Sequence, residues 1–383
     1  MVELPYGRAP YPLDLPGRSI SVIDAAPRPR HRPLEELLAE ALASPLGAPA
    51  LGTLAPPGAR VTVIVSDATR REPRASLLAA IRAQLPGVQW TLAIATGTHG
   101  PARVADLGIP EALLRGVTLV NHDGHRSDEL VDLGTTARGT PVRVHRCVVD
   151  ADLVIATGCI RPHYFAGFGA GVKAIFPGLG DAAGIRANHA LKSEPGARAG
   201  IVDGNPCRAD LVEAVRLVRT PSFLVNGVCA PDGEVHAVVT GDLDMAFRTG
   251  AALARAWFTV RAPRAPIVIA SDALPVTATL YQAAKIAAAA APLVEPNGVL
   301  VVVAECADGI GPKVVVNEAI FRIGVLPRLA PGVSLRLVSA LSPSDVACTL
   351  LDHAASVEMA IRDISGPVLV VPRASQLILE PTS

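Results

Sequence analysis

Apolar residues along this chain come in short unbroken runs, each stopped by a knot of small polar residues. "RVTVIVSD" (60–67) ends in Ser-Asp and "QWTLAIATGTHG" (89–100) in Thr, Gly and His. "ADLVIATG" (151–158), "PIVIASD" (266–272) and "GVLVVVAEC" (298–306) repeat the form. Runs of this length, rich in Val and Ile, predict strands. "PRASLLAAIRAQL" (73–85), lying between the first two, places its apolar residues at helical spacing, and "DAAGIRANHALK", "DMAFRTGAALARAWF" and the Ala-rich stretch from Tyr281 read as helices. The alternation predicts an α/β fold. Open parallel sheets bind ligands beyond the carboxyl ends of their strands, so the polar knots are the places to look, although turn residues end strands in any protein.

At 383 residues the chain exceeds what one core usually serves. Two prolines in "TVRAPRAPIVIA" (259–270) separate a helix from a new strand. The expected division is therefore a larger N-terminal cofactor-binding α/β domain, 1–262, and a smaller, doubly wound C-terminal α/β domain, 263–383. The active site is expected in the cleft between them, since ligand sites favour domain interfaces.

Composition narrows the class. Hydrophobic residues make up 50% and charged ones 18%, which suits a globular protein, and an aromatic share of 3% leaves the core to Ala, Val, Leu and Ile. Formal net charge is zero and no basic run occurs, which argues against nucleic acid as a partner. The opening "MVELPYGRAPYPLDLPG" lacks the basic start and apolar run of a signal peptide, and no stretch of eighteen apolar residues offers a membrane span. The six cysteines (147, 159, 207, 229, 306, 348) are scattered without a C-x-x-C pair, as expected of reduced thiols in a cytoplasmic protein.

Only four of the 35 Lys and Arg residues are lysine: 173, 192, 285 and 313. Where positive charge alone suffices this chain uses arginine, so the lysines are candidates for work that needs an amine able to lose its proton. Lys173 lies in "RPHYFAGFGAGVKAIFPGLG" (161–180), flanked by His163 and, further on, His189. Gly167, Gly169 and Gly171 would let backbone N–H groups approach a phosphate, but no Ser or Thr follows the lysine, so this is not a P-loop. At the ends of the first two strands, Asp67, Thr69 and Arg70 could hold a ribose hydroxyl and clamp an anion, and His99 is a candidate general base. "TLYQAAKIA" sets Tyr281, Gln282 and Lys285 together, with Gln282 and Lys285 three apart on one helix face.

Taken together, "VELPYGRA", "VSDATR", "ATGTHG", "VIATGCIRPHYFAGFGAGVKAIFPG", "NHALK", "VDGNPCRADLVEA", "LYQAAK" and "VVVAECADGIG" resemble the nickel-dependent lactate racemase family, 2-hydroxyacid racemases and epimerases, over nearly the full length. The resemblance implies a nickel-pincer nucleotide, a pyridinium-3-thioamide-5-thiocarboxylic acid mononucleotide with Ni(II), joined covalently to Lys173, with His189 as protein ligand to the metal. It implies Asp67, Thr69, Gly169 and Gly171 around that cofactor and His99 and His163 as the two opposed bases. Arg70, Lys285 and Gln282 would hold the substrate. The expected reaction is racemisation by reversible transfer of the α-hydrogen as hydride, and the expected partners are a small 2-hydroxy acid and the proteins that make the cofactor, with no membrane involved. The pocket departs from the family pattern: Gly100 stands where an arginine is usual, Arg71 where a proline is, and no tryptophan follows Trp257. These departures point to a 2-hydroxy acid other than lactate. Two other readings remain open on the residues, a Schiff-base enzyme with Lys173 as nucleophile and a silent cofactor-binding homologue.

Overall fold

The computed structural model describes residues 2–23 and 30–382. They form two compact units, one of residues 28–257 and one joining 1–27 to 258–383. This differs from the expected 1–262 and 263–383, because the opening segment belongs with the C-terminal residues. Ile20–Val22 pairs parallel with Val368–Pro372, and Leu4 and Leu13 are fully buried among Ile267, Ile269, Val299 and Val301.

The unit 28–257 is built on a six-stranded sheet. Its order is Val235–Gly241, Ser222–Cys229, Leu153–Ile160, Arg60–Ser66, Gln89–Ala95, Val117–Asn121, parallel except for the antiparallel first pair. Val61, Val63 and Val65 pack into a core on one face, while Ile64 joins Ala93 and Val154 on the other. Burial on both faces is why these strands read as unbroken apolar runs. Each such side chain contributes roughly 1.5–3 kcal/mol. From Arg60–Ser66 the chain first adds strands on one side and then, with Leu153–Ile160, on the other. The carboxyl ends of these two strands therefore flank the switch in strand order, where open α/β sheets leave a crevice.

The second unit repeats the plan with an all-parallel sheet: Asp352–His353, Ser334–Val338, Val294–Val303, Ala265–Ser271, Val368–Pro372, Ile20–Val22. The expected helices appear at Arg74–Gln84, Ala182–Ala190, Met245–Phe258 and Leu280–Ala290. Among the described residues no helix is long and apolar enough to cross a membrane.

Candidate active site at the switch in strand order

Asp67 leaves the end of its strand buried, and both of its oxygens are engaged. Oδ1 accepts from the Thr69 amide at 3.0 Å and the Thr69 hydroxyl at 2.5 Å, and Oδ2 lies 2.7 Å from Nδ1 of His99. Burial would raise this carboxyl, but the bonds from His99 and Thr69 outweigh it and hold the group below its usual range. An ionised Asp67 fixes the ring with its proton on Nδ1 and leaves Nε2 as the free base, on a side chain half exposed to solvent. Asp67 thus serves the histidine, where the sequence suggested a ribose hydroxyl. The loop is tied from beneath by Arg74, a residue the sequence reading passed over. Its buried guanidinium donates to the carbonyls of Ser66 (2.9 Å), Asp67 and Arg70 (2.6 Å), leaving the Arg70 side chain exposed.

The strand Leu153–Ile160 delivers His163 and the glycine-rich turn. Lys173 Nζ lies 3.1 Å from His163 Nε2, and His163 Nδ1 accepts the Ala166 amide at 3.2 Å. With Nδ1 an acceptor, the neutral ring carries its proton on Nε2 and donates it to the lysine, which must then be an uncharged amine. The electrostatics agree: burial, with Arg70 and Arg208 adding like charge, pushes the Lys173 amine down to about 7. The Phe165 ring sits at the middle of the group, 4.6 Å from His163 and 5.0 Å from His189, both edge-on, with Lys173 Nζ 5.7 Å above it.

His189 ends the helix Ala182–Ala190, which Asp181 caps by accepting the Ala183 and Gly184 amides. The preceding Asn188 is fully buried and donates to Asp210 (2.8 Å) and the Cys207 carbonyl (3.0 Å), which sets the helix end in place. Burial, and then the like charge of Lys173 when it is protonated and of Lys192, push the His189 imidazole down to about 3. It is therefore neutral at any ordinary pH, the form that binds a metal. Among the described residues no three of His, Cys, Asp or Glu converge as a metal cluster, so His189 offers a single ligand.

The glycines act differently from expectation. The Gly169 amide donates to the Arg161 carbonyl (2.9 Å) and the Gly171 amide to Asn226 Oδ1 (3.0 Å), so neither N–H is free to cradle a phosphate. Gly171 is needed for space, since a Cβ there would lie 2.5 Å from the Phe247 ring. The free anion-binding capacity lies instead on Arg208, another residue the sequence reading missed. Its guanidinium is buried, stacks 3.4 Å over Phe247, and keeps both terminal nitrogens without a partner among the described residues. Leaving such donors unmet is costly, and buried groups of this kind call for a ligand.

In the other unit, Thr279 caps the helix Leu280–Ala290, and Lys285 Nζ donates to Gln282 Oε1 at 2.5 Å, as their spacing on one face required.

Asp67 with His99 beyond the end of one parallel strand, and Lys173 with His163, Phe165 and His189 beyond the end of its neighbour, set groups able to carry protons on the two strands that flank the switch in strand order. Comparisons with known proteins agree. Residues 6–200 match the lactate racemase N-terminal domain and residues 260–320 the lactate racemase C-terminal domain. The chain is 31% identical over 322 residues to the lactate racemase of Thermoanaerobacterium thermosaccharolyticum, covering 81% of this chain and 75% of that protein. It is 29% identical over 286 residues to the lactate racemase of Lactiplantibacillus plantarum, covering 72% and 67%. The structure of the T. thermosaccharolyticum lactate racemase apoprotein superposes with a TM-score of 0.83 at 26% identity over 99% of each chain. A Thermotoga maritima protein shares the fold, with a TM-score of 0.66 at 16% identity over 91% of this chain and 98% of that one. The chain belongs to the lactate racemase family and is an isomerase, a racemase.

Proposed function

We propose that this racemase inverts a 2-hydroxy acid other than lactate, with a nickel-pincer nucleotide attached to Lys173 and its nickel bound by His189. One observation carries the reading: Lys173 Nζ lies 3.1 Å from His163 Nε2, its amine pushed down to about 7 by burial, with His189 against the same Phe165 ring as His163. The residues present fit such a group. A neutral amine can be acylated, a single imidazole suffices for a metal whose other ligands come with the cofactor, and the unpaired Arg208 fork suits a phosphate. When bound, the group would supply an acceptor for the α-hydrogen as hydride.

The protein's own share is proton transfer and orientation. His99, held by Asp67, takes the substrate's hydroxyl proton from one side through Nε2; His163 serves the other enantiomer through Nε2 after its proton moves to Nδ1 and the Ala166 amide is released. The exposed Arg70 takes the substrate carboxylate. For Lys285 and Gln282 the proposed role is also the carboxylate and the oxygen, and Lys285→Ala is expected to raise KM. Gly100, Arg71 and the missing tryptophan support a substrate other than lactate.

The test is intact mass and nickel content of protein produced together with the cofactor's biosynthetic enzymes, followed by a panel of 2-hydroxy acids. We expect about one nickel per chain, an adduct lost in Lys173→Ala and metal weakened in His189→Ala. Lactate as by far the best substrate would overturn the substrate part. The lowered Lys173 amine also favours a second reading, a Schiff-base lysine. A carbonyl substrate trapped on Lys173 by borohydride, with no nickel in well-folded protein, would establish that reading instead.

A further inference from the structure

The segments that carry the site meet at a turn that no step of racemisation has yet used. The strand Val117–Asn121 runs into Asn121, His122, Asp123 and Gly124. Asn121 grips the chain beyond His99: its Oδ1 accepts the Ala102 amide at 2.9 Å and its Nδ2 donates to the Ala102 carbonyl at 2.6 Å. The His122 carbonyl accepts the Thr96 hydroxyl at 2.7 Å, and the Thr96 carbonyl in turn accepts the His99 amide at 3.0 Å. One turn therefore anchors the loop of His99 both before and after the imidazole.

The other side of the turn holds the stretch between Lys173 and His189. The His122 ring is fully buried, with Nε2 2.9 Å from the Gly180 carbonyl. A carbonyl can only accept, so Nε2 carries the ring proton. Nδ1 is buried without a partner among the described residues, and burial is the main cause that holds this imidazole below its usual range, as a neutral single donor. Gly124 completes the joint. Its carbonyl accepts the Ala182 amide at 2.9 Å, at the start of the helix that bears His189. A Cβ on Gly124 would lie 2.9 Å from the Gly97 carbonyl oxygen and 3.0 Å from that of Gly180, so the three strands of chain touch there. Gly97 also donates to the Gly178 carbonyl and Gly178 to that of Lys173, both at 3.0 Å. A buried ring nitrogen left unmet is costly, so an apolar side chain would serve packing better at 122. It could not donate to Gly180.

We propose that His122 is a positioning residue for racemisation, the joint that sets the loop of His99 against the segment bearing Lys173 and His189. It touches no substrate. It acts through Thr96 on one side and Gly180 on the other, on groups whose spacing must be kept, and a displacement of about 1 Å at such groups can cost about 10²-fold in rate. The inference rests on the roles proposed above for His99, Lys173 and His189, and one of its two readouts is independent of them.

The test compares wild type with His122→Leu, which removes the donor, His122→Gln, which can offer an amide N–H in place of Nε2, and Thr96→Val, which cuts the other arm alone. Hydrogen exchange of each chain without cofactor reads the joint itself. In His122→Leu the amides of 96–102 and 178–184 should exchange several-fold faster than in wild type, while the strand Ser222–Cys229 stays protected. Thr96→Val should release only the first stretch. Chains produced together with the cofactor's biosynthetic enzymes are then assayed for racemisation of lactate and other 2-hydroxy acids. Expected is a fall in kcat of about 10–10²-fold for His122→Leu with KM within about threefold of wild type, and recovery of most of the loss in His122→Gln. A folded His122→Leu with wild-type exchange at both stretches, with full kcat, or with a loss that His122→Gln shares equally, would overturn the proposal. If His122→Leu does not fold, Thr96→Val decides, and no change in its exchange or kcat would overturn the proposal. A wild-type chain that binds no nickel and racemises nothing counts against the function proposed above, and the joint is then judged by exchange alone.

Discussion

Both units end a central strand in the same dipeptide, Ser66-Asp67 in one and Ser271-Asp272 in the other, and in both the strand order reverses beside it. What surrounds the two aspartates differs completely. Asp272 is fully buried and accepts from the Ala273 amide (2.7 Å), the Ser375 amide (3.0 Å) and hydroxyl (2.5 Å), and Gln376 (2.8 Å). None of these partners can exchange a proton near neutral pH, and together they tie the strand end to the turn Ala374–Gln376. Asp67 faces a half-exposed imidazole instead, in a loop that also presents Arg70. The topology offers a crevice in each case. The partner of the carboxylate decides whether it becomes a centre for chemistry or a clasp.

The largest effect should come from removing the dyad. Asp67→Asn or His99→Ala is expected to lower turnover of the loaded enzyme by roughly 10²–10⁴-fold while shifting stability by less than about 1 kcal/mol, as read by steady-state kinetics and denaturant unfolding. Equal stability losses at Asp67 and Asp272 would break the comparison. Asp272→Ala should do the reverse, costing about 2–4 kcal/mol by stranding buried donors and leaving kcat of the folded fraction unchanged.

A smaller effect concerns pH. The Lys173 amine titrates at about 7 in the folded chain, against about 10.4 when unfolded. Between those values the unfolded chain binds the extra proton, so stability should rise with pH across that window. Lys173→Met should flatten this rise in unfolding curves taken from pH 7 to 10, and an unchanged slope would mean that the amine is charged. The smallest effect is local. Ala170 enters the Lys173 turn at φ +62°, ψ −158°, a region that favours glycine. Ala170→Gly should add about 1 kcal/mol of stability by relieving that strain.

Much of this was legible because burial on both faces leaves a local mark. The apolar runs at 60–66, 153–160 and 265–271 announce their strands without knowledge of any partner. The rarity of lysine singled out Lys173, and the motif around it marked His163 and His189. Groups whose work depends on distant partners left no such mark. Arg74 and Arg208 look like any helix arginine, and their partners come together only once the chain has folded. Asn226 was the exception that could have been found. It is the polar break in "SFLVNGVC", and its side chain holds the Gly171 amide while donating to the Val225 carbonyl. The strand Ile20–Val22 was missed because three residues carry no period.

That strand has a consequence for how the protein is made. Ile20–Val22 leaves the ribosome long before its partner Val368–Pro372, with the whole of the other sheet made in between. By the time residue 257 emerges, every strand of the first sheet is available and that unit can close. The opening arm, with Leu4 and Leu13 still uncovered and a bare strand edge, must wait through translation of the whole remaining unit. A nascent chain halted before Val368 would thus present a finished enzyme half and an adhesive leading arm, the stretch on which chaperones and proteases would act first.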